Sequence, residues 1–208
     1  TPGYVLDLDL LARLFPEARF VHVIRDGRDV ALSYLERRFG PGDLGQAALY
    51  WRRRVTAGQE GGARLGPHRY QELRYEELID DPEGIVKRVC TFIHLEYDPS
   101  MLRYFERADE LTAAAADPDA HQSLALPPTH GLRDWRTQME PSDVALFEGL
   151  AGGTLASLGY DRVFDRAKSA TVLKAAASRG RWFKERLVSL VRRAINRGRR
   201  AVGRPEPR

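Results

Sequence analysis

The chain has 208 residues, of which 43% are apolar and 30% charged, with a net charge of +4. This is the profile of a folded domain of ordinary size, not of a disordered or collagen-like chain. The single cysteine, Cys90, excludes a disulfide framework and a cysteine-rich zinc module, and no apolar run approaches the ~20 residues of a membrane-spanning helix. The charge is unevenly spread. Residues 166–208 hold 14 Lys and Arg against two acids, whereas the first 165 residues hold 19 against 27. Any argument for nucleic acid or membrane binding drawn from net charge therefore concerns the tail alone. No signal peptide opens the chain. Its first residue is Thr1, which reads as a processed, trimmed or fragmentary sequence. One cysteine fits a reducing compartment, and the expected location is the cytoplasm, with a peripheral position at the inner membrane surface as an alternative.

In chain order, Leu6, Leu10, Leu11 and Leu14 share one face at helical spacing and predict a helix over 6–15, ended by Pro16. Phe20 to Ile24 is a short β-branched run that reads as a buried strand. Asp26 can cap the next helix, with Asp29 in its first turn. Leu44, Ala48, Trp51 and Val55 predict a helix over 43–55, and the glycine-rich stretch 58–66 reads as a connection. Residues 69–75 alternate weakly and predict a second strand. Asp81-Pro82 is a helix start with proline in the first turn, carrying Ile85, Val86, Val89, Phe92 and Ile93 inward. A short helix is expected over 99–108 and a loop over 112–128. A helix over 141–158 is expected to stop at Gly159. Strands followed by helices make this an α/β chain with a parallel sheet flanked by helices. A domain over 1–165 is followed by a different kind of segment, 166–208. There Phe183, Leu187, Leu190, Val191 and Ile195 line one face of a basic amphipathic helix, and a disordered end follows. Residues 181–197 are thereby a candidate contact for a membrane surface or a protein partner.

The informative segment is FPEARFVHVIRDGRDVALSY, residues 15–34. In an open α/β sheet, ligands sit beyond the carboxyl ends of the strands, where helix N-termini favour anions. Arg25 leaves the strand at that point, and Ser33 follows eight residues later on the helix. Arginine, hydroxyl and helix terminus together form a phosphate or sulfate site. The same residues support a second reading: Arg25 and Arg28 pair with Asp26 and Asp29 as a capping cluster. Spacing alone does not separate the two.

This segment resembles the 3′-phosphate-binding motif of sulfotransferases that use 3′-phosphoadenosine-5′-phosphosulfate (PAPS). Phe15-Pro16-Glu17-Ala18-Arg19-Phe20 is similar to that motif's lead-in, and Arg25 and Ser33 fall on its two phosphate ligands. Residues 73–78, LRYEEL, followed by Asp81-Pro82-Glu83, resemble the family's Arg-Tyr-Glu strand-to-helix passage, whose Tyr, here Tyr75, contacts adenine. Gly131-Leu132-Arg133-Asp134-Trp135-Arg136 resembles its nucleotide-closing segment, and residues 149–160 resemble a helix ending Leu-Gly-Tyr in the bacterial and tyrosylprotein branches. The resemblance implies a P-loop-like sulfotransferase fold and PAPS or adenosine 3′,5′-bisphosphate as partner. It implies Arg25, Ser33, Tyr75, Arg28 and Arg133 as nucleotide-binding residues. It also implies transfer to a hydroxyl or amine of a carbohydrate, lipid, small molecule or peptide, with no metal.

The resemblance has gaps. The family's glycine- and lysine-bearing 5′-phosphosulfate loop has no counterpart here: residues 58–62 lack Lys, and residues 152–154 fall inside a helix. Thr1-Pro2-Gly3-Tyr4 resembles the Lys-Thr-Pro-x-Tyr stretch from one residue past its Lys. The expectation is an N-terminally truncated sulfotransferase whose base lies upstream of Thr1, inactive by itself. The alternatives are a P-loop kinase relative and a non-catalytic nucleotide- or nucleic-acid-binding module with a basic tail. Among other residues, His22 reads as a satisfied sheet histidine and Cys90 as core. Trp51 reads as packed on the sheet and Arg52 to Arg54 as a solvated face. His121 and His130 fall in or beside the 112–128 loop, and His130 and Arg133 are candidate phosphate contacts. No His/Cys/Asp/Glu group has metal-ligand spacing.

Overall fold

Two parallel strands organise the first part of the molecule. In the computed structural model, β1 (Phe20–Ile24) pairs with β2 (Tyr70–Arg74) from Phe20 opposite Tyr70 to Ile24 opposite Arg74. The structure describes residues 2–36, 40–108, 125–127, 131, 133–164 and the helical positions Ala177, Gly180, Lys184 and Val188. The basic segment 166–208, apart from those four positions, and most of the 112–128 loop lie outside the described residues, as do His121 and His130. The chain forms two units: Thr1–Val30 with Arg53–Gln138, and Ala31–Arg52 with the residues from Met139 on.

In the first unit a 3-10 helix, Pro2–Asp7, leads into α1 (Leu8–Leu14). Its buried residues are Leu8 and Ala12, while Leu10 and Leu14 are exposed. The predicted leucine stripe is therefore not the inward face. The reason lies in the next long helix, α3 (Leu44–Leu65), whose residues from Arg53 on belong to this unit. Leu8 packs on its Gly61, where a Cβ would stand 3.0 Å from Leu8 Cδ1.

Helix α3 also corrects the reading of residues 58–66 as a connection, since it runs unbroken through Gly58, Gly61 and Gly62. Glycine costs about 1 kcal/mol in a helix interior, but here nothing larger fits. A Cβ on Gly58 would meet the His22 ring at 2.4 Å, and one on Gly62 the Tyr70 ring at 2.1 Å. The glycines let the helix lie close against the His22 and Tyr70 face of the two strands. The opposite face of β1 is exposed at Val21 and Val23, so this strand is not buried on both sides as its apolar run predicted. Among the described residues only β2 pairs with it.

After β2 the chain passes directly into α4 (Tyr75–Asp80) and α5 (Pro82–Ile93). Asp81 caps α5, accepting from the Gly84 N–H at 2.9 Å, with Pro82 in the first turn. His94 ends it in the left-handed conformation, at φ 60°. Cys90 is buried, with Sγ 3.7 Å from Met101 Sδ on the 3-10 helix Pro99–Arg107. A short α6 (Trp135–Gln138) closes the unit.

In the second unit, Asp43 accepts from the Gln46 N–H at 2.8 Å and starts α3, and Gln46 returns a contact to the Gly42 N–H at 3.0 Å. Trp51 packs on Phe147 of α7 (Pro141–Ser157), ring centres 5.8 Å apart. Arg52 to Arg54 are half-buried, and Arg52 donates to the Leu150 carbonyl at 2.6 Å. The face expected to be solvated is thus a packing face. The α7 helix is apolar nearly all round, which is the pattern of a buried helix. It stops before Gly159, at φ 76°. Its buried Glu148 accepts from the N–H groups of Val163 and Phe164, tying down the segment that follows.

Candidate functional site

The strand register sets the site. Because Ile24 lies opposite Arg74, the next residues, Arg25 and Tyr75, leave adjacent parallel strands side by side at their carboxyl ends. The Arg25 guanidinium stacks over the Tyr75 ring, 4.6 Å from its centre. One residue further on each strand, the Asp26 N–H donates to Glu76 Oε1 at 2.9 Å and locks the two strand exits together. Helix α2 (Gly27–Leu35) starts here. Asp26 accepts from the Arg28 N–H at 2.9 Å, as its capping role predicted.

A cavity of about 320 Å³ opens at this point, lined by Arg25, Asp29, Tyr75, Glu76, Ile79, Gly131, Arg133, Asp134 and Arg136. Its size is at the lower end for small-molecule sites, ~300–1,000 Å³. The segment carrying Arg133 and Arg136 is held to the strand exit at several points. Arg25 Nη2 donates to the Arg133 carbonyl at 2.9 Å, and the Trp135 N–H donates to Asp29 Oδ1 at 2.9 Å. Arg28, fully buried, lies 3.5 Å from the centre of the Trp135 ring.

Three guanidinium groups and three carboxylates surround the cavity, and the carboxylates are engaged by donors of the protein itself. Asp29 Oδ2 accepts from Arg25 Nε and Nη2 at 3.3 and 3.1 Å. Glu76 accepts from Asp26, and Asp134 Oδ1 from the Arg136 N–H at 3.0 Å. Burial pushes the Asp29 carboxyl above its ordinary range, against the lowering influence of the Trp135 N–H and Arg25. The cavity thus presents arginine side chains together with an aromatic ring and the Ile79 side chain. That is a surface for a phosphate and a flat base.

Of the residues singled out from sequence, Arg25, Tyr75 and Arg133 come together on this cavity. Arg28 does not line it. It is bound to Asp26 by Nε and Nη2, at 3.0 and 2.7 Å, beneath Trp135. Ser33 is half-buried on the part of α2 that belongs to the second unit and is not in this lining. The capping-cluster reading describes Arg28 with Asp26 and Arg25 with Asp29, and the same Arg25 also faces the cavity. Sequence reasoning passed over Asp29, Glu76, Ile79 and Arg136 as site residues. For Glu76 a signal existed: it follows directly after a predicted strand end. For Asp29, whose site partner is a backbone N–H 106 residues away, there was none.

On the other side of the strands, His22 Nδ1 and the Tyr70 hydroxyl are 2.6 Å apart, and Tyr70 donates to Glu72 Oε1 at 3.0 Å. Burial holds the imidazole below its ordinary pKa and the phenol far above its own. His22 is a satisfied sheet histidine, as expected. Among the described residues no group of His, Cys, Asp and Glu could hold a metal ion, and no helix is long and apolar enough to cross a membrane.

Comparison with known proteins gives this geometry its class. Residues 1–99 match the model of the sulfotransferase family. The chain is 26% identical over 168 residues to protein-tyrosine sulfotransferase 1 of Mus musculus, which is 77% of this chain and 45% of that protein. It is 23% identical over 156 residues to the protein-tyrosine sulfotransferase of Drosophila melanogaster, 71% of this chain and 31% of that one. Among solved structures it is similar to the sulfotransferase domain from the curacin biosynthetic pathway, with TM-score 0.63 and 20% identity, over 78% of this chain and 62% of that one. A second similar structure is the sulfotransferase domain of the Synechococcus PCC 7002 olefin synthase, with TM-score 0.55 and 23% identity, over 77% of this chain and 57% of that one.

The architecture is thus the α/β sulfotransferase fold. The family match covers residues 1–99, just under half of the chain. The chain spans 45% and 31% of the length of the mouse and fly relatives.

Proposed function

We propose that this chain carries the nucleotide side of a sulfotransferase whose sulfuryl donor is PAPS, with Arg25 as the anchor of the donor's 3′-phosphate. The observation that supports this most directly is the Arg25–Tyr75 pair at the ends of two adjacent parallel strands. The residues present fit the nucleotide. Arg25, Arg133 and Arg136 offer planar donors to a phosphate, and Tyr75 and Ile79 offer an aromatic and an apolar surface to adenine. Ser33, two turns along α2, is the hydroxyl that the motif pairs with Arg25.

When bound, the donor supplies the sulfuryl group that passes to an acceptor hydroxyl or amine by in-line displacement. The chain's own residues contribute binding and orientation. Arg25 fixes the phosphate by charge-assisted hydrogen bonds, Tyr75 holds the plane of the base, and the Arg133–Arg136 segment excludes water from above. Holding the donor in register with an acceptor is itself a large part of such catalysis. No residue of this chain is assigned as the base. The names of the relatives make a protein tyrosine hydroxyl the first acceptor to test.

A thermal-shift series tests the reading. A ligand at 100 times its Kd stabilises the native state by about 2.7 kcal/mol. Adenosine 3′,5′-bisphosphate should raise the melting temperature of the wild-type chain, and Arg25→Ala should abolish the rise while leaving the ligand-free melting temperature within a few degrees. An equal rise in both proteins, or none in a protein extended to the length of its relatives, would overturn the proposal.

A further inference from the structure

One carboxylate connects the two halves of the cavity. Asp29 uses Oδ1 for the Trp135 N–H and Oδ2 for Arg25 Nε and Nη2, while Arg25 Nη2 donates to the Arg133 carbonyl. These contacts close a ring: guanidinium, carboxylate, the Trp135 amide, the backbone of Asp134, the Arg133 carbonyl, and back to the guanidinium. Within such a ring, neither the plane of the guanidinium nor the backbone of 133–135 can shift alone. The side chains of Arg133 and Arg136, which line the same cavity, ride on that backbone.

The contacts are sheltered from solvent, with Arg25 and Asp29 side chains 19% and 15% exposed, so they are stronger than an ion pair at the surface. Asp29 grips the Nε and Nη2 edge of Arg25 and thereby sets where the Nη1 edge points. The Arg28 stack fixes the indole of Trp135 separately. What Asp29 holds directly is the backbone N–H of that residue, which opens α6 and has no partner within the helix.

We infer that Asp29 is a positioning residue that makes the orientation of Arg25 and the docking of segment 133–136 a single event, so that anion binding at Arg25 and closure of that segment reinforce each other. The inference rests on the reading of this cavity as a phosphate site for its functional meaning, but the coupling itself can be measured without ligand.

The experiment is hydrogen–deuterium exchange on the whole chain, wild type, Asp29→Ala and Asp29→Asn, with and without adenosine 3′,5′-bisphosphate, together with affinities for that nucleotide. Asp29→Ala should speed exchange of the peptide covering 131–138 about tenfold in the absence of ligand, with peptides of α3 unchanged. It should also weaken nucleotide binding about tenfold. Asp29→Asn retains an acceptor for the Trp135 N–H and should restore most of the protection and part of the affinity. A merely structural role would not give this graded rescue confined to one peptide.

Unchanged exchange at 131–138 in Asp29→Ala overturns the inference. So does a rise shared equally by α3 with no recovery in Asp29→Asn. If the wild type fails to bind the nucleotide while the ligand-free exchange behaves as stated, the coupling stands and the nucleotide reading falls.

Discussion

Arg28 stacks on Trp135: a fully buried guanidinium lies 3.5 Å from the centre of an indole ring that is itself 5% exposed. Its charge is balanced by Asp26, at 2.7 Å, which also caps α2. Arg28, which the resemblance implied as a nucleotide-binding residue, is therefore the floor on which the indole of Trp135 rests.

Truncating Arg28 leaves the Asp26 carboxylate buried without its cation and removes the support of Trp135. Arg28→Ala should cost about 3–5 kcal/mol, read as a fall in the urea midpoint. Adding Asp26→Asn, which keeps a capping side chain but removes the stranded charge, should restore at least about 1 kcal/mol. Strictly additive losses would show that the buried charge is not the cause.

The glycines of α3 give a second test, with a control inside the same protein. Gly62→Ala places a Cβ against the Tyr70 ring, where it would stand 2.1 Å away, and should destabilise by about 1–3 kcal/mol. Gly153→Ala, in the middle of α7 with nothing within 4 Å, should stabilise by up to about 1 kcal/mol. Thermal melts of the two variants should move in opposite directions, and a shift in the same direction contradicts the packing described for α3.

His22 predicts a pH dependence. Burial holds its folded-state pKa below the ordinary 6.5, with the neighbouring Glu72 carboxylate opposing. The groups facing it are the Tyr70 hydroxyl, Glu72 and, through Glu72, the Gln59 amide, at 3.5 Å. The unfolded chain then takes up a proton more readily than the folded one. The neutral ring's contribution is complete above the unfolded pKa and is lost as pH falls toward the folded pKa. Wild-type stability should decline between about pH 7.5 and 5.5 more steeply than that of His22→Gln, by up to ~1.4 kcal/mol per pH unit from this residue. Parallel urea-midpoint profiles for the two proteins would contradict it.

Much of the site was legible because its residues sit at strand ends. An apolar β-branched run followed by Arg-Asp-Gly, and a second strand whose end runs Arg-Tyr-Glu, mark positions where a parallel sheet presents ligands, and Arg25 and Tyr75 meet there. What could not be read were choices made by tertiary contact. The helical period of 6–15 supports more than one inward face, and the packing of Leu8 on Gly61 selects one. Gly58, Gly61 and Gly62 look like a linker by propensity, yet they lie inside a helix where the His22 ring, Leu8 and the Tyr70 ring approach too closely for a larger residue. Asp29 looks like a first-turn acid of α2, and nothing local announces that its oxygen serves a backbone amide 106 residues later. Backbone donors carry no sequence signature, so a residue whose partner is one is found only in the fold.

The central claim is that Arg25 reads a 3′-phosphate, and isothermal titration of the wild-type chain and Arg25→Ala with adenosine 3′,5′-bisphosphate and with adenosine 5′-monophosphate tests it most directly. The two nucleotides differ only in the group at issue. A charge-assisted contact of ~1.5–3 kcal/mol predicts that wild type prefers the bisphosphate by at least about tenfold and that Arg25→Ala binds both alike. Equal affinities in the wild type, or a preference that survives the loss of Arg25, would contradict the account.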